Sequence, residues 1–163
     1  MVPFQSCIDR DARALIRLSK LADYAIVLMA CLAEGTPAQL SAQALAERTR
    51  LEVTTVAKLL KQLANAQLVQ SARGVAGGYR LARGASEINV AQIIAAIEGP
   101  LGLTECSIHQ GLCGREDYCT VSGNLRKINQ VVEGALRAMT LAEMAAPVRR
   151  VQSSVQQPPR ISA

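Results

Sequence analysis

Residues 68–83 read LVQSARGVAGGYRLAR, two short strand-like runs on either side of a glycine-bearing turn. Leu68–Ala72 and Tyr79–Arg83 have strand character, and the glycines between them supply the turn. Almost everything around this hairpin is patterned for helices. Aromatic residues are limited to Phe4, Tyr24, Tyr79 and Tyr118, with no tryptophan, so the core must be aliphatic and alanine-rich. A single β-hairpin in a helical chain of 163 residues allows one packed core and little else.

What precedes the hairpin narrows the choice. Apolar residues recur at helical spacing at Leu18, Leu21, Ala25, Leu28 and Leu32, and Gly35 and Pro37 stop that helix. A second, shorter helix starts at Ser41, a good N-cap. After a break at 49–52, a third helix places Val56, Leu59, Leu60 and Leu63 on one face. Thr54, Lys58, Lys61 and Asn65 fall on another face, with Thr55 beside them. Two short helices across a tight break make a helix-turn-helix, and a hairpin directly after the second makes a winged helix. The fold class expected is therefore mainly α: a winged helix-turn-helix with a small β-hairpin wing and a long C-terminal dimerisation helix.

The charge distribution agrees. Residues 41–83 hold seven Lys/Arg against two acids, and residues 84–122 hold one against five. A concentrated basic module expects a polyanion such as double-stranded DNA. Thr54, Thr55, Lys58 and Lys61 are the candidates for base edges and phosphates in the major groove, and Arg73, Gly74 and Arg80 are those of the wing.

A helix capped by Asn89 and stopped by Gly99-Pro100 leads into TECSIHQGLCGREDYCTVSG, residues 104–123. This segment holds Cys106, Cys113, Cys119 and the only histidine, His109. A long helix follows over SGNLRKINQVVEGALRAMTLAEM, residues 122–144, in which Leu125, Ile128, Val132, Ala135 and Met139 alternate spacings of three and four, a seam suited to helix pairing. Residues 1–15 are expected to be an extension, 16–84 the DNA-binding domain, 85–146 the cysteine loop and dimerisation helix, and 147–163 a disordered basic tail. The N-terminal region carries charges where a signal peptide needs an apolar stretch, so the expected place is the cytoplasm, with no membrane association. There, cysteines serve more often as ligands or redox sensors than as disulfides.

Three thiolates suit an iron–sulfur cluster, and a Cys3His set with His109 suits zinc equally well on the residues alone. A thiol switch without metal is the third reading. No nucleophile–base pair, phosphate loop or paired carboxylates indicate an enzyme. A small cluster carrier would explain the cysteines but not the basic module and wing.

RLSKLADYAI at 17–26, the helix-turn-helix, the wing at 68–83 and the three-cysteine loop before a long helix together resemble the Rrf-two family of winged-helix regulators, with its IscR-type and NsrR-type branches. The likeness spans residues 16–146 and is greatest to the regulators of SUF-type iron–sulfur assembly. It implies a cytoplasmic homodimer on a palindromic operator, acting as a repressor that senses cluster status or oxidative stress. A nitric-oxide sensor on the same scaffold is the alternative. It also implies that Cys106, Cys113 and Cys119 hold a cluster, 2Fe-2S ahead of 4Fe-4S, with zinc as the competing metal.

The spacing C-x6-C-x5-C is one residue longer in its first gap than the IscR-type pattern. Ser122 stands where that branch has a histidine ligand, and Ala57 where it has a glutamate of the recognition helix. The resemblance to the NsrR-type branch points to Asp23 of the partner subunit as the fourth ligand. His109 is the alternative. Cys7 and Cys31 are expected to have no role at the site, Cys31 as a small buried residue.

Overall fold

The computed structural model describes residues 18–34, 39–72, 74, 77–109 and 111–146. Helix α1, Lys20–Glu34, is the central element and packs against most of the others. Ser19 caps it by accepting a hydrogen bond from the Ala22 N–H at 3.1 Å. The Ser19 amide in turn donates to Glu98 Oε1 at 3.0 Å, tying this end to the fourth helix. Capping at Ser19 leaves Leu18 outside the helix and exposed, so the buried face is Ala22, Ala25, Leu28, Met29 and Leu32 rather than a stripe from Leu18. Ala22 and Ala25 are wholly buried, and their short side chains let neighbouring helices come close.

Helix α2, Ala42–Thr49, starts at Ser41, whose hydroxyl accepts from the Ala44 N–H at 3.1 Å. It ends at Arg50 in the left-handed conformation, φ 56°. That turn redirects the chain into α3, Val53–Asn65, whose Val56, Leu59, Leu60 and Leu63 are fully buried. The helix-turn-helix read from the sequence is present.

Strands β1, Val69–Ala72, and β2, Gly78–Leu81, pair antiparallel with Val69 opposite Leu81 and Ala72 opposite Gly78. A third strand-like contact was not legible in the sequence. Leu40 and Tyr79 exchange backbone hydrogen bonds of 3.0 and 2.8 Å, which joins the wing to the start of α2. Gly78 permits this approach, because a Cβ there would stand 2.8 Å from the Leu40 carbonyl oxygen.

Helix α4, Val90–Glu98, is capped by Asn89 in a reciprocal box with Gln92 and ends at Gly99, φ 88°. A short helix α5, Glu105–Ile108, opens the cysteine segment. Helix α6, Ser122–Ala138, follows that segment.

The sequence reading continued this last helix through Met144. The chain instead breaks at Met139 and begins α7, Leu141–Ala145. The break has a specific cause. Thr140 and Glu143 form a capping box: Thr140 Oγ1 accepts from the Glu143 N–H, and Glu143 Oε2 accepts from the Thr140 N–H at 2.8 Å. The Thr140 amide, together with the Thr140 hydroxyl at 2.7 Å, donates to the Glu143 carboxyl and holds it below its usual range. The break lets the Leu141 amide donate to Ile88 O at 2.7 Å and the Val90 amide to Met139 O at 3.0 Å. Leu141 is thereby wholly buried in the core. Leu141→Ala should cost about 3 kcal/mol, as fully enclosed leucines do. Urea denaturation checks it, and a midpoint equal to wild type would mean that α7 does not dock.

Candidate DNA-reading face and cysteine loop

Thr54, Lys58 and Lys61 are exposed on α3, opposite its buried leucines, because the 3.6-residue period separates the two sets. Thr55 is half-buried and Ala57 is exposed on the same helix. Arg80 is exposed on β2, with its guanidinium donating to Gln70 Oε1 across the strands at 3.1 Å. Gly74 is exposed at the wing turn with φ 114°. Arg73 lies outside the described residues.

The cysteine segment is anchored at both ends. Cys106 sits on α5 and is 6% exposed, whereas Cys113 and Cys119 are half-buried. The Thr104 hydroxyl lies 3.2 Å from Cys106 Sγ and 2.8 Å from Ser107 Oγ. Gly102 lets the turn before α5 fold down, since a Cβ there would collide with Ile108.

Three residues of α6 bind this segment. Ser122 Oγ donates to Cys119 O at 3.1 Å. Arg126 pairs with Glu116 at 2.6 Å, and Glu116 also accepts from the Gly111 N–H at 2.7 Å. Asn129, 6% exposed, accepts from Leu103 N–H at 3.0 Å and donates to Leu101 O at 3.4 Å. Ser122 thus serves a backbone carbonyl. None of these three contacts was anticipated, although the spacing of Ser122, Arg126 and Asn129 on one helical stripe was a usable signal.

His109 is exposed at the end of α5. Asp23 is exposed on α1 and lines a groove of about 920 Å³ with Tyr24, Val27, Cys31 and Arg48, none of them from the cysteine segment. Cys31 is half-buried rather than fully buried. Burial pushes its thiol up, opposed by the Arg48 guanidinium.

Among the described residues, no three Cys, His, Asp or Glu side chains converge as a ready metal site. The donor set nevertheless fits an iron–sulfur cluster: three unpaired thiols on one short loop, with a hydroxyl beside the first. Two half-buried thiols on a glycine-bearing loop would have to close on such a group, as is usual where binding and local ordering are coupled.

Of the seam expected along α6, Leu125 and Val132 are half-buried while Ile128, Ala135 and Met139 are exposed, so it divides between two faces. Leu125, Val132 and Leu136 are half-buried against the chain itself. Val121, Ile128 and Val131 are 52%, 53% and 73% exposed, an apolar stripe without a partner in the single chain. No helix among the described residues is long and apolar enough to cross a membrane.

The Rrf2 family model, described as an iron-dependent transcriptional regulator, matches residues 18–147. A putative HTH-type transcriptional regulator of Neisseria meningitidis is 32% identical over 127 residues, 77% of this chain and 85% of its own. IscR of Escherichia coli is 30% identical over 132 residues, 79% of this chain and 80% of its own. Among solved structures, CymR, the global cysteine regulator of B. subtilis, superposes with a TM-score of 0.62 at 27% identity, covering 80% of this chain and 96% of its own. IscR of T. potens gives 0.62 at 29%, covering 79% and 85%.

Proposed function

The chain belongs to the Rrf2 family of transcriptional regulators, which are not enzymes, and from that premise we propose a homodimeric repressor of SUF-type iron–sulfur assembly genes that senses cluster status or oxidative stress. Its affinity for a palindromic operator follows the state of a cluster, 2Fe-2S ahead of 4Fe-4S, held by Cys106, Cys113 and Cys119. One observation carries this reading: the three thiols share a single loop seated on α6, the helix whose opposite face is open.

Family members bind DNA, and here α3 and the wing present the cations for it. Thr54, Lys58 and Lys61 enter the major groove, with Thr55 at its edge. Arg80 and Gly74 lie along the backbone and minor groove, and Arg73, next to Gly74 in the sequence, is proposed as a contact there. The stripe Val121, Ile128 and Val131 packs against its equivalent in a second chain, which makes a symmetric dimer suited to a palindrome. The cluster, when bound, supplies a redox- and oxygen-sensitive group. The protein supplies three thiolates, the Thr104 hydroxyl near Cys106 Sγ and a fourth ligand. Asp23 of the partner subunit is the first choice for that ligand, because within one chain it lines a groove away from the loop. The oxygen ligation and the exposure of the loop favour release or modification by oxidants. Nitric-oxide sensing is a second reading on the same scaffold. Zinc held with His109 is another, favoured by that imidazole's exposure three residues after Cys106.

Asp23→Ala should bleach or destabilise the cluster while His109→Ala leaves its absorption spectrum intact. The reverse pattern would assign the ligand to His109. The function itself is tested by titrating an operator fragment with protein before and after cluster removal. A salt-dependent preference for the palindrome that changes at least about tenfold with cluster state is expected. Equal affinity for any sequence would overturn the regulator reading.

A further inference from the structure

Ser122, Arg126 and Asn129 lie at i, i+4 and i+7, so they share one stripe of α6. Ile128 and Val131 lie on the far side of the same helix, with Val121 just before its first residue, and all three are exposed. The polar stripe holds the cysteine loop at three separated places: its exit at Cys119, its middle through Glu116 and Gly111, and its entry at Leu101 and Leu103. The last contact lies one residue before Thr104, whose hydroxyl lies beside Cys106 Sγ.

We propose that Ser122, Arg126 and Asn129 are positioning residues that carry the state of the cysteine loop into the placement of α6. This goes beyond holding a fold together, for three physical reasons. The bonds span 26 and 28 residues of sequence at Asn129, so they join two elements rather than trim one. Asn129 is almost wholly buried, and a side chain sealed from water cannot exchange its partners for solvent when the loop moves. The Arg126–Glu116 pair is continued to the Gly111 backbone by the second carboxylate oxygen, so a displacement at the loop tip is felt at the helix. A loop that closes on a ligand must therefore either pull α6 with it or break these bonds. Moving α6 shifts its apolar face, and with it the angle at which two copies present their reading helices. The coupling of loop to helix stands without a cluster. Only its effect on DNA rests on the function proposed above.

Two variants test it in full-length protein. Asn129→Asp keeps the acceptor for the Leu103 amide and removes the donor to Leu101. Arg126→Gln cuts the link to Glu116 at a partly exposed site that tolerates change. Amide hydrogen exchange is measured first on protein stripped of metal. Each variant should speed exchange across the cysteine loop and the first two turns of α6 by about tenfold, leaving α1–α3 unchanged. A loosened loop over an unchanged α6 would overturn the proposal, whatever the loop binds. The second arm uses cluster-loaded and cluster-free protein on an operator fragment. Both variants should retain the wild-type cluster spectrum, while the affinity difference between the two states shrinks to within about twofold. Retention of the wild-type difference in both would also overturn it. Wild-type protein that holds no cluster would count against the proposed function, and the exchange arm would still decide the coupling.

Discussion

Lys58→Glu should weaken operator binding by roughly a thousandfold while leaving the melting temperature unchanged. The side chain is exposed in the middle of α3, with Leu59 and Leu60 buried behind it, so no core contact is lost. A lysine that meets phosphates or a guanine edge contributes about 1–3 kcal/mol, and reversing its charge adds repulsion. A dimer carries the change twice, for about 4 kcal/mol in all, which corresponds to about three factors of ten. The slope of log affinity against log salt should also flatten, since fewer counterions are released. Unchanged binding in a gel-shift titration would place the reading surface elsewhere than α3.

Cys106→Ser should remove nearly all iron and sulfide from the protein. Serine's oxygen is a harder and weaker ligand for a cluster than thiolate, and a three-thiol site has no spare donor. The fold should survive, because the Thr104 hydroxyl near the sulfur can accept or donate to the replacement hydroxyl. Cys113→Ser and Cys119→Ser should behave in the same way. Cys31→Ser should leave iron content at the wild-type level, because Cys31 is half-buried and burial pushes its thiol up, away from the thiolate that ligation needs. Full iron content in Cys106→Ser, read by colorimetric assay, would remove that residue from the ligand set.

The elements of the DNA-binding half were legible because local signals and tertiary packing agreed there. Ser41 and Asn89 cap the helices they were expected to cap, and Val56, Leu59, Leu60 and Leu63 form the buried face of α3. The helix start at Leu18 was misplaced by hydrophobicity alone, which ignored the Ser19 hydroxyl one residue later. The same bias extended α6 across Met139. The seam Leu125–Met139 looked continuous, yet TLAE at 140–143 was a complete capping-box signature, and it ended one helix and started another.

The seam itself mixed two faces, because spacings of three and four fit both a dimer stripe and a core-facing stripe. Only burial separates Leu125 and Val132 from Ile128, Ala135 and Met139. Long-range polar contacts were the least legible. Asn129 reaches residues 26 and 28 positions away, and no periodicity reports that. Leu40 pairing with Tyr79 is of the same kind. For the cysteines, spacing specified the donor chemistry, while their degree of burial, with Cys106 enclosed and Cys113 and Cys119 half-open, depended on α5 and α6 folding around them.

The central claim is that the loop of Cys106, Cys113 and Cys119 holds an iron–sulfur cluster. Its most direct test is the iron, acid-labile sulfide and zinc content of protein purified without oxygen. A cluster requires iron and sulfide in equal amounts, accompanied by visible absorption. Colourless protein with stoichiometric zinc and no sulfide would contradict it.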